Sequence, residues 1–119
     1  MRNSVLVIGS GLMGSGIAAV SSLAGNHTIL VDTKLELAEK GYKRACECID
    51  ELCLNDLTTK EKAETAKKNI EWTTDTLSAC KKAVMVIEAI TENLEQKQQL
   101  FQYLDQVLPP EIPLLSNTS

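Results

Sequence analysis

The chain is 119 residues long, which suits one domain and is too short for two ordinary ones. With 44% apolar and 24% charged residues, a soluble globular chain with a real core is expected. Twelve basic against sixteen acidic residues give a net charge of −4. With no basic cluster, nucleic-acid binding lacks its electrostatic footprint, and no apolar run reaches the ~18 residues of a membrane span.

Val5-Leu6-Val7-Ile8 is a short continuous apolar run between polar residues and a glycine, the pattern of a buried parallel strand. A glycine-rich stretch over 9–16 leads into a helix that continues over 17–24 and stops at Gly25-Asn26. Residues 27–31 are β-branched and alternating, a second strand ending at Asp32. Strand, turn, helix and strand within about 30 residues form the βαβ unit of a parallel sheet.

A long helix is predicted over 34–54, with Leu35, Ala38, Tyr42, Ala45, Ile49 and Leu52 in one apolar stripe. Asn55-Asp56 breaks it, and a charged helix follows Thr59 to about 68. Together the two read as a helical hairpin standing off the sheet. Residues 70–72 make a short third strand, 75–80 a brief helix capped by Asp75, and 83–87 a fourth apolar strand. Asn93 caps a helix over 94–107 that Pro109-Pro110 ends, and 112–115 is a fifth strand. The fold class is therefore α/β, a Rossmann-type doubly wound parallel sheet with an inserted helical hairpin.

Cys46, Cys48 and Cys53 fall in the long helix, and Cys80 stands apart. Along a helix Cys46 and Cys48 point about 200° apart, and Cys46 and Cys53 are separated by roughly 10 Å. That is too far for a disulfide. The cysteines read as reduced thiols, and no metal site is expected.

Gly9-Ser10-Gly11-Leu12-Met13-Gly14 is a G-x-G-x-x-G motif, placed after a strand and at the start of a helix. The unpaired N–H groups and partial positive charge of that helix start suit a pyrophosphate. Gly9 permits the tight turn, a side chain at Gly11 would keep the backbone from the phosphates, and Gly14 lets helix and strand approach. Gly16 is expected to serve the same close packing one turn on. Asp32 lies 32 − 9 = 23 positions from Gly9, near the spacing of the acid that binds an adenosine ribose. Its charge would repel a 2′-phosphate and so favours NAD over NADP.

His27, the one histidine, is expected at the amino edge of the sheet, whereas ligands of open α/β sheets bind at the carboxyl edge. Glu88, Glu92 and Lys97 surround the carboxyl end of the fourth strand, where paired carboxylates suit acid/base work and also an ordinary solvated helix start. Ser116, Asn117, Thr118 and Ser119 follow the fifth strand at the same edge and suit either a ligand loop or a turn.

These pieces, in order, resemble the amino-terminal NAD-binding domain of the 3-hydroxyacyl-CoA dehydrogenase family. They are the glycine motif running to Ala18, Val31-Asp32, Val86-Ile87-Glu88-Ala89-Ile90-Thr91-Glu92, Lys97 with Leu100-Phe101 and Leu104-Asp105, and Ser116-Asn117-Thr118-Ser119. The resemblance implies that residues 1–119 are an NAD-binding domain whose cofactor is NAD. Gly9, Ser10, Gly11, Leu12, Met13 and Gly14 would hold the pyrophosphate, and Asp32 the ribose. Glu92 and Lys97 would contact the nicotinamide end, with Asn117 in the adjoining cofactor loop. Ser119 would lie beside both the nicotinamide and the substrate's 3-hydroxyl, which makes it the catalytic candidate. The implied reaction of the full-length enzyme moves hydride between (S)-3-hydroxyacyl-CoA and NAD in fatty-acid β-oxidation.

Three departures follow from the same resemblance. The family usually carries Asp just before the apolar run of the fourth strand, where this chain has Lys82-Ala83, far from the ligand edge. Ala45 and Leu52 occupy places where the family's hairpin contacts coenzyme A with polar and basic side chains. The catalytic histidine, its glutamate partner and the carboxy-terminal catalytic and dimerisation domain follow the serine loop in the family, and these 119 residues do not include them. A homodimer is implied only where that domain is present. No targeting segment precedes Val5, so the cytoplasm and the mitochondrial matrix are both expected compartments. Two other readings remain open, a non-catalytic NAD-binding or regulatory module and a related hydroxyacid dehydrogenase.

Overall fold

The computed structural model describes residues 2–90 and 93–116. Its elements are β1 (Ser4–Ile8), α1 (Leu12–Leu23), β2 (His27–Val31), α2 (Leu35–Leu54), α3 (Lys60–Lys68), β3 (Ile70–Thr73), α4 (Thr76–Lys82), β4 (Ala83–Glu88), α5 (Leu94–Val107) and β5 (Leu114–Ser116). The strands form one parallel sheet in the order β3-β2-β1-β4-β5. The chain steps outward from β1 to β3, then returns to the other side of β1, so its direction reverses between β1 and β4. That reversal is where open α/β sheets bind ligands, outside the carboxyl ends of the strands.

Side chains alternate across the sheet and fill two cores. Val5, Val7 and Leu30 pack with Ala18 and Ala19 of α1, Ala45 and Ile49 of α2, and Ala63 and Ala66 of α3. Leu6, Ile8, Ile29, Val31 and Val86 pack on the opposite face with Ala79 and Cys80 of α4 and Leu104 of α5. Burial on both faces explains why β1 reads as an unbroken apolar run.

The helical pair does not stand off the sheet. Ala38, Gly41, Ala45 and Ile49 of α2 and Ala63 and Ala66 of α3 are buried, because small side chains let these helices settle closely on α1 and the sheet. Tyr42 stacks on Trp72 of β3 with ring centroids 4.3 Å apart. Lys67 of α3 bridges back to Asp50 of α2 at 2.5 Å. The caps are local and follow the sequence: the side chains of Thr59, Asp75 and Asn93 accept from the N–H groups of Lys62, Ser78 and Gln96.

Several boundaries move, most by a single residue, as where β3 runs to Thr73 and β4 to Glu88. The first helix already begins at Leu12, inside the glycine motif, and α4 runs on to Lys82. The last strand is Leu114–Ser116 rather than 112–115, because Ile112 N–H is taken by the Pro109 carbonyl in a turn. Ladder pairing resumes where the Pro113 carbonyl accepts from Val86 N–H.

His27 lies at the amino edge, as its position at the start of the second strand implies. Its Nδ1 is 2.7 Å from the Ser4 hydroxyl and its Nε2 is 2.9 Å from Glu71. It therefore ties β1, β2 and β3 together at the end opposite the glycine turn.

Candidate functional site

Gly9 turns the chain out of β1 with φ +106°, and a Cβ there would stand 2.7 Å from the Ala89 carbonyl oxygen. A Cβ on Gly14 would fall 1.7 Å from the Gly9 oxygen. Both positions require glycine, one for its left-handed backbone and close approach, the other for helix-to-strand contact. Gly11 differs: a Cβ there meets nothing within 4 Å. Its glycine leaves open space above the start of α1. Gly11 is also the N-cap of α1, with no side-chain cap and no acidic residue in the first turn. The first N–H groups of α1 thus face that space with their positive end of the helix dipole uncompensated.

Gly16 does not pack as expected. A Cβ there meets nothing within 4 Å, and the residue lines an apolar groove beside α1 with Leu12, Met13, Ile17 and Val20. The side chains of Leu12 and Met13 are exposed into that groove, so only their backbone N–H groups belong to the glycine turn.

Asp32 stands at the end of β2 beside the turn. Its Oδ2 accepts the Ser10 N–H at 2.9 Å and also the Ser10 hydroxyl, and its Oδ1 accepts the Thr33 N–H at 2.7 Å. Burial pushes its carboxyl upward. The hydrogen bonds from the Ser10 hydroxyl, the Thr33 N–H, the Ser10 N–H and the Thr33 hydroxyl outweigh that and hold it below the ordinary value. Asp32 borders a cleft of about 730 Å³ at the carboxyl edge, which Ile8, Gly9, Thr74, Ile90, Gln99 and Tyr103 also line.

Two residues absent from the sequence reading shape this corner. A Cβ on Gly41 of α2 would come within 2.5 Å of Ser10 Cβ and 2.8 Å of the Ser10 oxygen. A lone glycine inside a helical pattern costs about 1 kcal/mol and was the available signal. Arg44, one turn on, donates to the Ser10 carbonyl at 3.4 Å. Nothing local in the sequence marks it.

Glu88 is completely buried. One carboxylate oxygen accepts the Ile90 N–H and the other the Ser116 hydroxyl, each at 2.7 Å. It thereby joins the ends of β4 and β5, with both of its oxygens engaged. Lys97 is buried in the first turns of α5 at the same edge. Glu92, Asn117 and Ser119 lie outside the described residues.

The model of the 3-hydroxyacyl-CoA dehydrogenase NAD-binding domain matches residues 4–119. The chain belongs to that family. Similar relatives are the mitochondrial hydroxyacyl-coenzyme A dehydrogenase of Rattus norvegicus and a probable 3-hydroxybutyryl-CoA dehydrogenase of Bacillus subtilis. Each is 36% identical over 97% of this chain, which spans 38% of the first and 40% of the second. Among solved structures, 3-hydroxybutyryl-CoA dehydrogenase of Escherichia coli superposes with a TM-score of 0.89 at 34% identity, covering all of this chain and 25% of that one. The (S)-3-hydroxybutyryl-CoA dehydrogenase of Ralstonia eutropha gives 0.88 at 28%, covering all of this chain and 42% of that one.

As an NAD-binding domain of this family, the chain presents a corner that fits its dinucleotide. That corner combines open space over Gly11, the uncapped start of α1 and Asp32 beside a cleft. Ala45, one of the two positions expected to depart from the family's coenzyme A contacts, is fully buried in the core. Leu52 lines the apolar groove. No helix among the described residues is long and apolar enough to cross a membrane.

Proposed function

We propose that the chain is the NAD-binding part of a 3-hydroxyacyl-CoA dehydrogenase, which moves hydride between (S)-3-hydroxyacyl-CoA and NAD. The observation that carries this reading is the open space over Gly11 at the uncapped start of α1, with Asp32 beside it. In the assembled enzyme NAD supplies the hydride acceptor. The N–H groups of Gly11, Leu12, Met13 and Gly14 would hold the pyrophosphate against the helix start. Asp32 would accept from the ribose hydroxyls and repel a 2′-phosphate. Glu92, Lys97 and Asn117 would contact the nicotinamide end, and Ser119 the substrate hydroxyl.

The hydroxyl proton needs a base. His27, the one imidazole in these 119 residues, is committed to Ser4 and Glu71 at the opposite edge. This favours a second reading for the chain taken alone, a module that binds NAD without turning over. The acyl-CoA would then be met only together with the further residues that the longer relatives carry, as would any homodimer. A compartment that keeps thiols reduced, the cytoplasm or the mitochondrial matrix, belongs to the same reading, supported by four free cysteines and a mitochondrial relative.

Calorimetric titration with NAD tests the proposal. Saturable binding at one site, lost on adding a side chain at Gly11, is expected. No binding by the folded chain would overturn it.

A further inference from the structure

We infer that Ser10 is a positioning residue that sets the choice between dinucleotides by fixing the carboxylate of Asp32. The inference rests on the proposed ribose-binding role of Asp32 and adds the residue that makes that carboxylate selective.

Ser10 is 2% exposed, yet each of its polar groups has a partner. Its N–H donates to Asp32 Oδ2 at 2.9 Å, and its hydroxyl donates to the same oxygen. The hydroxyl also lies 2.9 Å from the Leu37 carbonyl of α2. The Ser10 carbonyl accepts from Ser15 Oγ at 3.1 Å and from Arg44 at 3.4 Å. Gly41 closes the remaining side, where a single methyl would strike the Ser10 side chain. Ser10 is thus held by the turn, by α1 and by α2, and it passes that rigidity to Asp32.

The hydroxyl has one proton and two acceptors. A charged acceptor makes the stronger hydrogen bond, so the carboxylate takes it in preference to the Leu37 carbonyl. Asp32 is then gripped from both sides, by Ser10 at Oδ2 and by Thr33 at Oδ1. A carboxylate has about four lone-pair sites, so acceptor capacity remains for two ribose hydroxyls. The grip keeps the group charged and unable to turn away. Both properties raise affinity for a free 2′,3′-diol, and both penalise a 2′-phosphate.

Removing the hydroxyl leaves the Ser10 N–H in place and frees Asp32 to rotate and to take up a proton. NAD affinity is then expected to fall about tenfold, the equivalent of one hydrogen bond to a charged group. NADP affinity should change little, so the ratio between the two narrows by a similar factor. A residue that merely supports the fold would lower both affinities together.

The test uses Ser10→Ala and, should that variant fold poorly by circular dichroism, Ser10→Gly. Calorimetry with NAD and with NADP gives the ratio, and carbon NMR of the Asp32 carboxyl in the ligand-free chain gives its titration. A narrowed ratio together with an Asp32 midpoint moved up toward the ordinary carboxylate range supports the inference. A wild-type chain that binds NAD, with variants whose ratio and Asp32 titration are unchanged, overturns it and leaves the NAD site standing. A wild-type chain that does not bind NAD overturns the site and this inference together.

Discussion

Gly41 of α2 lies against Ser10 of the glycine turn so closely that one methyl group on Gly41 would come 2.5 Å from Ser10 Cβ. The two residues are 31 positions apart, and their contact sets how the helical pair sits beside the dinucleotide corner.

Gly41→Ala is therefore expected to destabilise the chain even though alanine favours helix by up to about 1 kcal/mol over glycine. Overpacking costs typically about 1–3 kcal/mol, and here the obstacle includes the backbone oxygen of Ser10 at 2.8 Å, which cannot swing aside. A net loss on the order of 1 kcal/mol should appear as a melting temperature several degrees lower, with weakened NAD binding because Ser10 is displaced. A variant as stable as wild type would show that α2 can back away from the turn.

Gly11→Val should separate folding from binding. Gly11 has φ −71° and ψ −164°, a conformation open to any residue, and a Cβ there meets no protein atom within 4 Å. Gly11 is the N-cap of α1, where valine is poorer than glycine by about 1 kcal/mol. Circular dichroism should stay near wild type and melting fall by only a few degrees, while NAD binding disappears. Retained affinity would mean that the turn holds no pyrophosphate.

Asp32→Ala should weaken NAD and narrow its advantage over NADP, as read by parallel titrations. Without ligand, a pH effect follows from the carboxyl being held below its ordinary value of 3.8. A group of this kind contributes stability that is fully present above its unfolded pKa and is lost as pH falls through its folded value. Wild type should melt above Asp32→Ala near neutral pH, and the gap should close as the pH drops below 3.8. A gap that persists unchanged well below that value would show that the Ser10 and Thr33 hydrogen bonds do not depend on the charge.

The 119-residue chain, saturated with NADH and given acetoacetyl-CoA, should oxidise no cofactor above background. General acid–base catalysis typically contributes about 10²–10⁴-fold, and His27 is held by Ser4 and Glu71 at the amino edge. Loss of substrate positioning adds to that deficit. Turnover within tenfold of a full-length family enzyme would contradict this and make Glu92 the first residue to mutate.

Much of the fold was legible because it is written locally. The apolar run of β1, the glycine motif, the spacing of 23 to Asp32 and the cap at Asn93 each depend on residues close together in the chain. Strand burial, turn geometry and helix capping act over one to four residues, so composition and period are enough to read them. The amino-edge position of His27 followed from element order alone.

The rest was decided by distances that the sequence does not contain. Ser10 meets Asp32 across 22 positions, Glu88 meets Ser116 across 28, and Arg44 meets Ser10 across 34. The Ser116 hydroxyl reaches Glu88 only when β5 pairs with β4. Gly16 looked like Gly14 because both are glycines near one helix start, yet a Cβ on one would strike the Gly9 oxygen and a Cβ on the other would meet open space. The two positions are two residues apart, about 200° around a 3.6-residue helix. Which of them faces the strand is therefore set by how α1 docks on the sheet, and that docking is decided by the packed core.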